Sequence, residues 1–248
     1  MVKKVIGFNL DDLWLVLGVP VGGFVLLHLI IAGVLVFFHA DSSLMLSGIL
    51  LPICSGIVML IVSIAHVGIT YFQAIRFSQT RRRALGQTMA LIGFEGGCSL
   101  AITALLTFLE QHFAPRLWLA LTGYQALEWG IDGHVIPDPV LGTSSVSTAG
   151  GTLLIEDFSL AWWWFPLILL ACIATGIIVG AIIARFGSRG GWTLWCIWMV
   201  CCFAPQLLGN RLILLDDFIW WILLVTGISA AAALVWSFYY LLHAPVKS

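Results

Sequence analysis

Charge is scarce in this sequence. Lysine, arginine, aspartate and glutamate make up 9% of its 248 residues, against 61% apolar types. Soluble domains are about 25% charged, so a surface this poor in ionic groups excludes a soluble globular protein. The formal net charge of -1 leaves no basic face to neutralise phosphates, which excludes a nucleic-acid binder. The apolar content excludes disorder. Lysine is rarer still: only Lys3, Lys4 and Lys247 occur, and none follows a glycine. A P-loop needs Gly-Lys-Ser/Thr to cradle phosphate, so no ATPase is encoded here. Cys-x-x-Cys is also missing. Cys54, Cys98, Cys172, Cys196, Cys201 and Cys202 all fall in apolar stretches, where cysteine acts as a small apolar residue and not as a disulfide or redox framework.

What the chain has in quantity is uninterrupted apolar sequence. A membrane-crossing helix needs about 20 such residues to traverse about 30 Å of hydrocarbon. Six stretches qualify: Leu13–Phe38, Leu44–Tyr71, Ala84–Phe108, Leu160–Ala184, Gly190–Leu208 and Phe218–Leu242. They do not alternate apolar with polar, so a strand barrel is excluded. The first is too long for a signal-peptide core, and Phe38-His39-Ala40-Asp41 lacks a small-x-small cleavage pattern, so it is expected to be retained. Placing the N-terminus inside puts Lys3, Lys4, Arg76, Arg81, Arg82, Arg83, Arg185, Arg189 and Lys247 in the cytoplasm, and leaves Arg116 and Arg211 outside. Trp162–Trp164, Trp192 and Trp220–Trp221 lie near span ends, where amphipathic rings anchor. The expected fold is therefore all-α: a single polytopic helical bundle of six transmembrane helices in the cell membrane, with both termini cytoplasmic.

Three pieces remain outside the spans. Val2–Asp12 mixes apolar and charged residues in the manner of a short interfacial helix. The 109–159 connection is expected to be extracytoplasmic. Within it, Arg116–Trp129 carries Leu117, Leu121, Tyr124 and Leu127 at helical spacing and predicts an interfacial or re-entrant helix too short to span. Asp132–Gly151, rich in Gly, Pro, Ser and Thr, reads as loop. The third piece, Arg76-Phe77-Ser78-Gln79-Thr80-Arg81-Arg82-Arg83, is the densest charge in the protein. Its basic residues can hold the loop inside against anionic lipid, or dock a partner.

Candidate chemistry within the spans is sparse. His28 and His66 sit about 22 Å and about 8 Å from the cytoplasmic ends of their helices at about 1.5 Å per residue, which argues against a shared haem or metal and for hydrogen-bonded helix contacts. Ser99, in Gly97-Cys98-Ser99-Leu100-Ala101, lacks the closing glycine of a nucleophile elbow, and no paired intramembrane carboxylates are read, so an enzyme is not expected. Glu95 falls near the midplane of the third span. An acid there costs about 2.5–3.5 kcal/mol on insertion scales, so it should face protein or water, either lining a pathway or packing against a neighbour. Gly176 and Gly180 form a G-x-x-x-G that permits close helix packing.

Two patches together resemble a known family. Gln73-Ala74-Ile75-Arg76-Phe77-Ser78-Gln79-Thr80-Arg81-Arg82-Arg83-Ala84-Leu85-Gly86 is similar to the inside turn between the second and third helices of small six-helix permease subunits of type-2 ABC exporters from Gram-positive bacteria. Gly176–Gly180, running into Ala184-Arg185-Phe186-Gly187-Ser188-Arg189-Gly190-Gly191-Trp192, resembles the end of their fourth helix and the turn after it. The resemblance implies that Ser78, Gln79, Thr80, Arg81, Arg82 and Arg83 couple to separate cytoplasmic ABC ATPase subunits. ATP would then be bound on that partner, and no cofactor or metal in this chain. It also implies a second permease subunit, identical or different, contact with membrane lipids, and export of a peptide, lipid or amphiphilic drug. The chain departs from that plan where the family carries re-entrant outer helices: its connection between the fifth and sixth spans is only Gly209–Asp217. An accessory or immunity-type membrane protein without a transport cycle would share the bundle and the basic turn.

Overall fold

The computed structural model describes residues 10–40, 42–77, 79–124, 126–131, 134–137, 152–208 and 216–243. Helix dominates them. In chain order the elements are α1 (Leu10–Phe38), β1 (Ser42–Met45), α2 (Ser47–Ala65), a π-helical turn (His66–Thr70), α3 (Tyr71–Arg76), α4 (Arg81–Thr122), β2 (Ala126–Ile131), β3 (His134–Pro137), β4 (Thr152–Asp157), α5 (Trp164–Phe186), α6 (Ser188–Leu208) and α7 (Asp216–His243). Among the described residues, four stretches are long and apolar enough to cross a membrane: Asp12–Phe38, Ser47–Arg76, Arg81–Thr122 and Trp164–Phe186. The chain divides into two compact units, Met1–Val58 with Glu95–Leu170, and Met59–Phe94 with Ala171–Ser248.

The first unit contains a four-stranded sheet of order β1-β4-β2-β3, a departure from an all-helical chain. β1 and β2 both run parallel to β4, and β3 pairs antiparallel with β2. Strand period 2 places Leu153 and Ile155 on one buried face of β4, and Ser43 and Met45 on that of β1. This face packs on the ends of two helices: Leu35 of α1 and Ala114 and Trp118 of α4 join Met45, Leu127, Leu153 and Ile155 in one core. Trp118 is its largest buried side chain. Burying each of these large apolar side chains stabilises the unit by about 1.5–3 kcal/mol.

The same core explains why α4 does not end where its apolar run weakens. α4 extends over 42 residues and passes through Pro115, reaching about 63 Å at about 1.5 Å per residue, twice the hydrocarbon thickness. Proline removes one backbone N–H, but Ala114 and Trp118 on either side are held in the core, and the helix continues. Gly123 stops it: at φ 76° it takes the left-handed conformation, and its N–H donates to Leu119 O at 3.0 Å. The interfacial helix expected over Arg116–Trp129 is therefore not formed. Residues 116–122 complete α4, and residues 126–129 belong to β2. Within Asp132–Gly151, expected as loop, His134–Pro137 is β3 and the rest lies outside the described residues.

In the second unit, α5 packs directly on α2 and the π turn after it. A Cβ at Gly176 would stand 2.7 Å from both Leu60 O and Ser63 Cβ, and one at Gly180 would stand 2.9 Å from Val67 Cβ. Only glycine allows that approach. The π turn inserts one extra residue into the helical path, with His66 and Val67 buried in it. Gly187, at φ 63°, closes α5, and its N–H donates to Ile183 O at 2.7 Å. The expected Val2–Asp12 helix, with Lys3 and Lys4, falls largely outside the described residues, as do Arg211 and Lys247.

Candidate functional site

A buried polar seam runs along α4 in the first unit. Glu95, Ser99, Thr103, Thr107 and Glu110 recur at a spacing of three or four residues, so they share one helical face, and all five are buried. α2 contributes polar groups from the facing side. Ser55 Oγ and Thr103 Oγ1 lie 2.7 Å apart in a hydrogen bond, and the Ser47 backbone N–H donates to Glu110 Oε2 at 3.1 Å. Thr107 Oγ1 returns its own hydrogen to Thr103 O at 3.0 Å. Ser99 Oγ is buried with no hydrogen-bond partner. An unpaired buried hydroxyl costs about 1–3 kcal/mol, which applies in this row to Ser99, while Thr103, Thr107 and Glu110 have the partners just named. The row offers a line of hydrogen-bonding groups between its two carboxyl ends, about 22 Å apart along the helix. Glu95, the expected pathway residue, forms one end of it.

The other end went unnoticed in the sequence, because a span ending at Phe108 leaves Glu110 outside the membrane. The i, i+4 spacing of polar residues from Glu95 onward is the signal that would have revealed it. Glu110 faces His28 of α1, with His28 Nε2 3.6 Å from Glu110 Oε1. His28 Nδ1 lies 2.9 Å from Phe24 O. A carbonyl oxygen only accepts, so Nδ1 carries the hydrogen and Nε2 is left facing the carboxyl group. The imidazole stacks on Trp118 and meets Phe24 at a tilt of 36°, with ring centroids 5.7 and 4.0 Å away. The expected hydrogen bond of His28 is thus made within its own helix. His66 likewise bonds locally, Nδ1 to Thr70 Oγ1 at 3.2 Å across the π turn.

The basic turn lies in the second unit. Arg76, Phe77, Arg82 and Arg83 are exposed, Phe77 by 81%. Ser78 lies outside the described residues. Gln79 N–H donates to Ala74 O at 3.3 Å, and Ala84 N–H to Thr80 O at 2.9 Å, so the chain reverses tightly into α4. Arg81 is half-buried and its Nη1 donates to Leu242 O at 3.3 Å, while the Tyr71 hydroxyl donates to Leu241 O. Both acceptors are last-turn carbonyls of α7 that have no partner within their own helix. Arg185, exposed at the end of α5, places its guanidinium 5.0 to 5.3 Å from the ring centres of Phe186, Trp236 and Tyr240, in cation–π range. Gly176 and Gly180 serve the contact of α5 with α2 and the π turn.

No protein-family profile matches the sequence, and neither a curated protein nor a solved structure does.

Proposed function

We propose that the chain is the integral membrane permease subunit of an ATP-driven, ABC-type transporter in the cell membrane, with six spans and both termini cytoplasmic. A separate ATPase docks on the turn at residues 78–83, a second permease subunit completes the path, and the cargo is an amphiphile such as a peptide, lipid or drug. The observation that carries this reading is the basic turn. Arg81, Arg82 and Arg83 occupy the first turn of α4, which carries no acidic residue. Cations at a helix N-terminus oppose the macrodipole by about 0.3–1 kcal/mol each. An acidic docking surface would relieve that opposition, and exposed Phe77 beside the arginines offers it an apolar anchor. The Arg81 and Tyr71 bonds to α7 supply a route by which motion of the turn reaches the last helix. The buried seam of α4 supports a polar path in a chain that lacks a P-loop of its own.

Gentle detergent extraction of the tagged chain from its native host tests this reading. A P-loop ATPase is expected to co-elute in stoichiometric amount. Recovery of the folded chain without any such ATPase would favour the accessory or immunity-type alternative.

A further inference from the structure

Cations gather in the second unit where α3, α5 and α7 end. Arg76, Arg81, Arg82, Arg83, Arg185 and Arg189 lie in the last or first turns of its helices. The bond of Arg81 to Leu242 O and the contacts of Arg185 with Trp236 and Tyr240 bring the last turn of α7 among them. The only acids of the unit, Asp216 and Asp217, begin α7. That start is about 36 Å from Tyr240 along the helix at about 1.5 Å per residue. Arg185 is held differently from its neighbours. Its guanidinium lies 5.0, 5.2 and 5.3 Å from the ring centres of Phe186, Trp236 and Tyr240, it is exposed, and it makes no hydrogen bond or ion pair with another described residue. The rings fix the position of the planar fork and leave its N–H donors open.

An open groove of about 620 Å³ runs along α7 from this point, lined by Ile228, Ala231, Ala232, Val235, Trp236 and Tyr239. The two alanines leave its middle clear, and Ile228, Val235 and Tyr239 are exposed along it. Trp236 belongs to both features, as a wall of the groove and as one of the rings against Arg185. From Ile228 to Tyr239 the groove extends about 16 Å, the depth of one leaflet of a hydrocarbon layer about 30 Å thick. An acyl chain fits such a groove, and the arginine at its head sets the charge of the group the chain is attached to. We infer that Arg185 and the α7 groove bind one anionic phospholipid, its phosphodiester accepting from the guanidinium and one acyl chain lying from Tyr239 toward Ile228. Guanidinium and phosphate pair through two parallel N–H···O bonds. Phosphatidylcholine offers the same phosphate with a trimethylammonium beside it, which the surrounding arginines repel. The site therefore favours a headgroup of net negative charge such as phosphatidylglycerol. It uses none of the side chains assigned to ATPase docking.

The experiment uses the full chain, delipidated in detergent and titrated with dioleoyl phosphatidylglycerol or dioleoyl phosphatidylcholine. Native mass spectrometry reads the dissociation constant of the first lipid bound. The parent is expected to bind phosphatidylglycerol at least about tenfold more tightly than phosphatidylcholine. Arg185→Gln changes an exposed residue, so it should fold, and it is expected to weaken phosphatidylglycerol by at least about tenfold. Arg185→Lys keeps the charge without the fork and should weaken it severalfold. Ala232→Phe fills the groove from an exposed position and should weaken both lipids severalfold. Arg189→Gln removes an exposed cation from the same end of the unit and is expected to leave the affinity unchanged. Each variant is read only after its elution profile and circular dichroism match the parent. Equal affinity of the parent for the two lipids, or an equal loss from Arg185→Gln and Arg189→Gln, would overturn the site, as would undiminished binding by folded Ala232→Phe. No ATPase takes part in the assay, so its failure and the failure of the permease reading are separate results.

Discussion

At the scale of single residues, the two buried carboxyl groups of α4 and the glycines of α5 bear the tightest constraints. Glu110 accepts the N–H that starts α2, and removing the acceptor strands a buried donor. Glu110→Ala is therefore expected to cost about 1–3 kcal/mol, read as a lower melting temperature in detergent, whereas Glu110→Gln stays near the parent. Gly176→Leu drives a side chain into Leu60 O and Ser63 and should cost about 1–3 kcal/mol or prevent folding. Gly18→Ala, with nothing near its Cβ position, should leave the melting temperature unchanged or raised. Glu95→Gln separates structure from the proposed pathway: if the permease reading holds, transport is expected to fall severalfold with no loss of stability, and unchanged transport would remove Glu95 from the path.

At the scale of elements, α7 depends on groups from elsewhere to finish its last turn. Tyr71 and Arg81 together cover the Leu241 and Leu242 carbonyls, and the double variant Tyr71→Phe, Arg81→Gln is expected to fray that end. Amide hydrogen exchange over residues 238–243 should accelerate severalfold while exchange in α5 stays constant. Helices were the legible part of the sequence: the apolar run Leu160–Ala184 corresponds to α5 (Trp164–Phe186), and Phe218–Leu242 to α7 (Asp216–His243). Burial in lipid or protein demands continuous apolar sequence, and that demand is local. The sheet was not legible, because its pairing is not local. Leu44 and Met45 read as the start of a span, yet β1 pairs with β4, Met45 opposite Asp157. The third span read as ending at Phe108, with a separate short helix starting after Pro115, and only the packing of Trp118 on residues from β1, β2 and β4 shows why α4 continues unbroken through both points. Ending the span at Phe108 also hid Glu110, and with it one end of the seam.

At the scale of the whole molecule, scarcity of charge becomes informative through placement. Nine of the eleven cations fall on the side assigned to the cytoplasm, and four of them lie between Arg76 and Arg83. The exposed residues of that turn include Arg76, Arg82, Arg83 and Phe77. A turn that serves only to hold topology needs positive charge and nothing more. A turn that docks an ATPase needs its particular shape and charge as well. The most direct measurement is co-elution of a P-loop ATPase, the proposed partner, from native membranes containing the tagged parent or the charge-reversed pair Arg82→Glu, Arg83→Glu. Both arginines are exposed, so the variant should fold and insert. The parent is expected to carry the ATPase and the folded variant to lose it by at least about tenfold. Equal recovery with both, or no ATPase with either, would contradict a docking role for the turn.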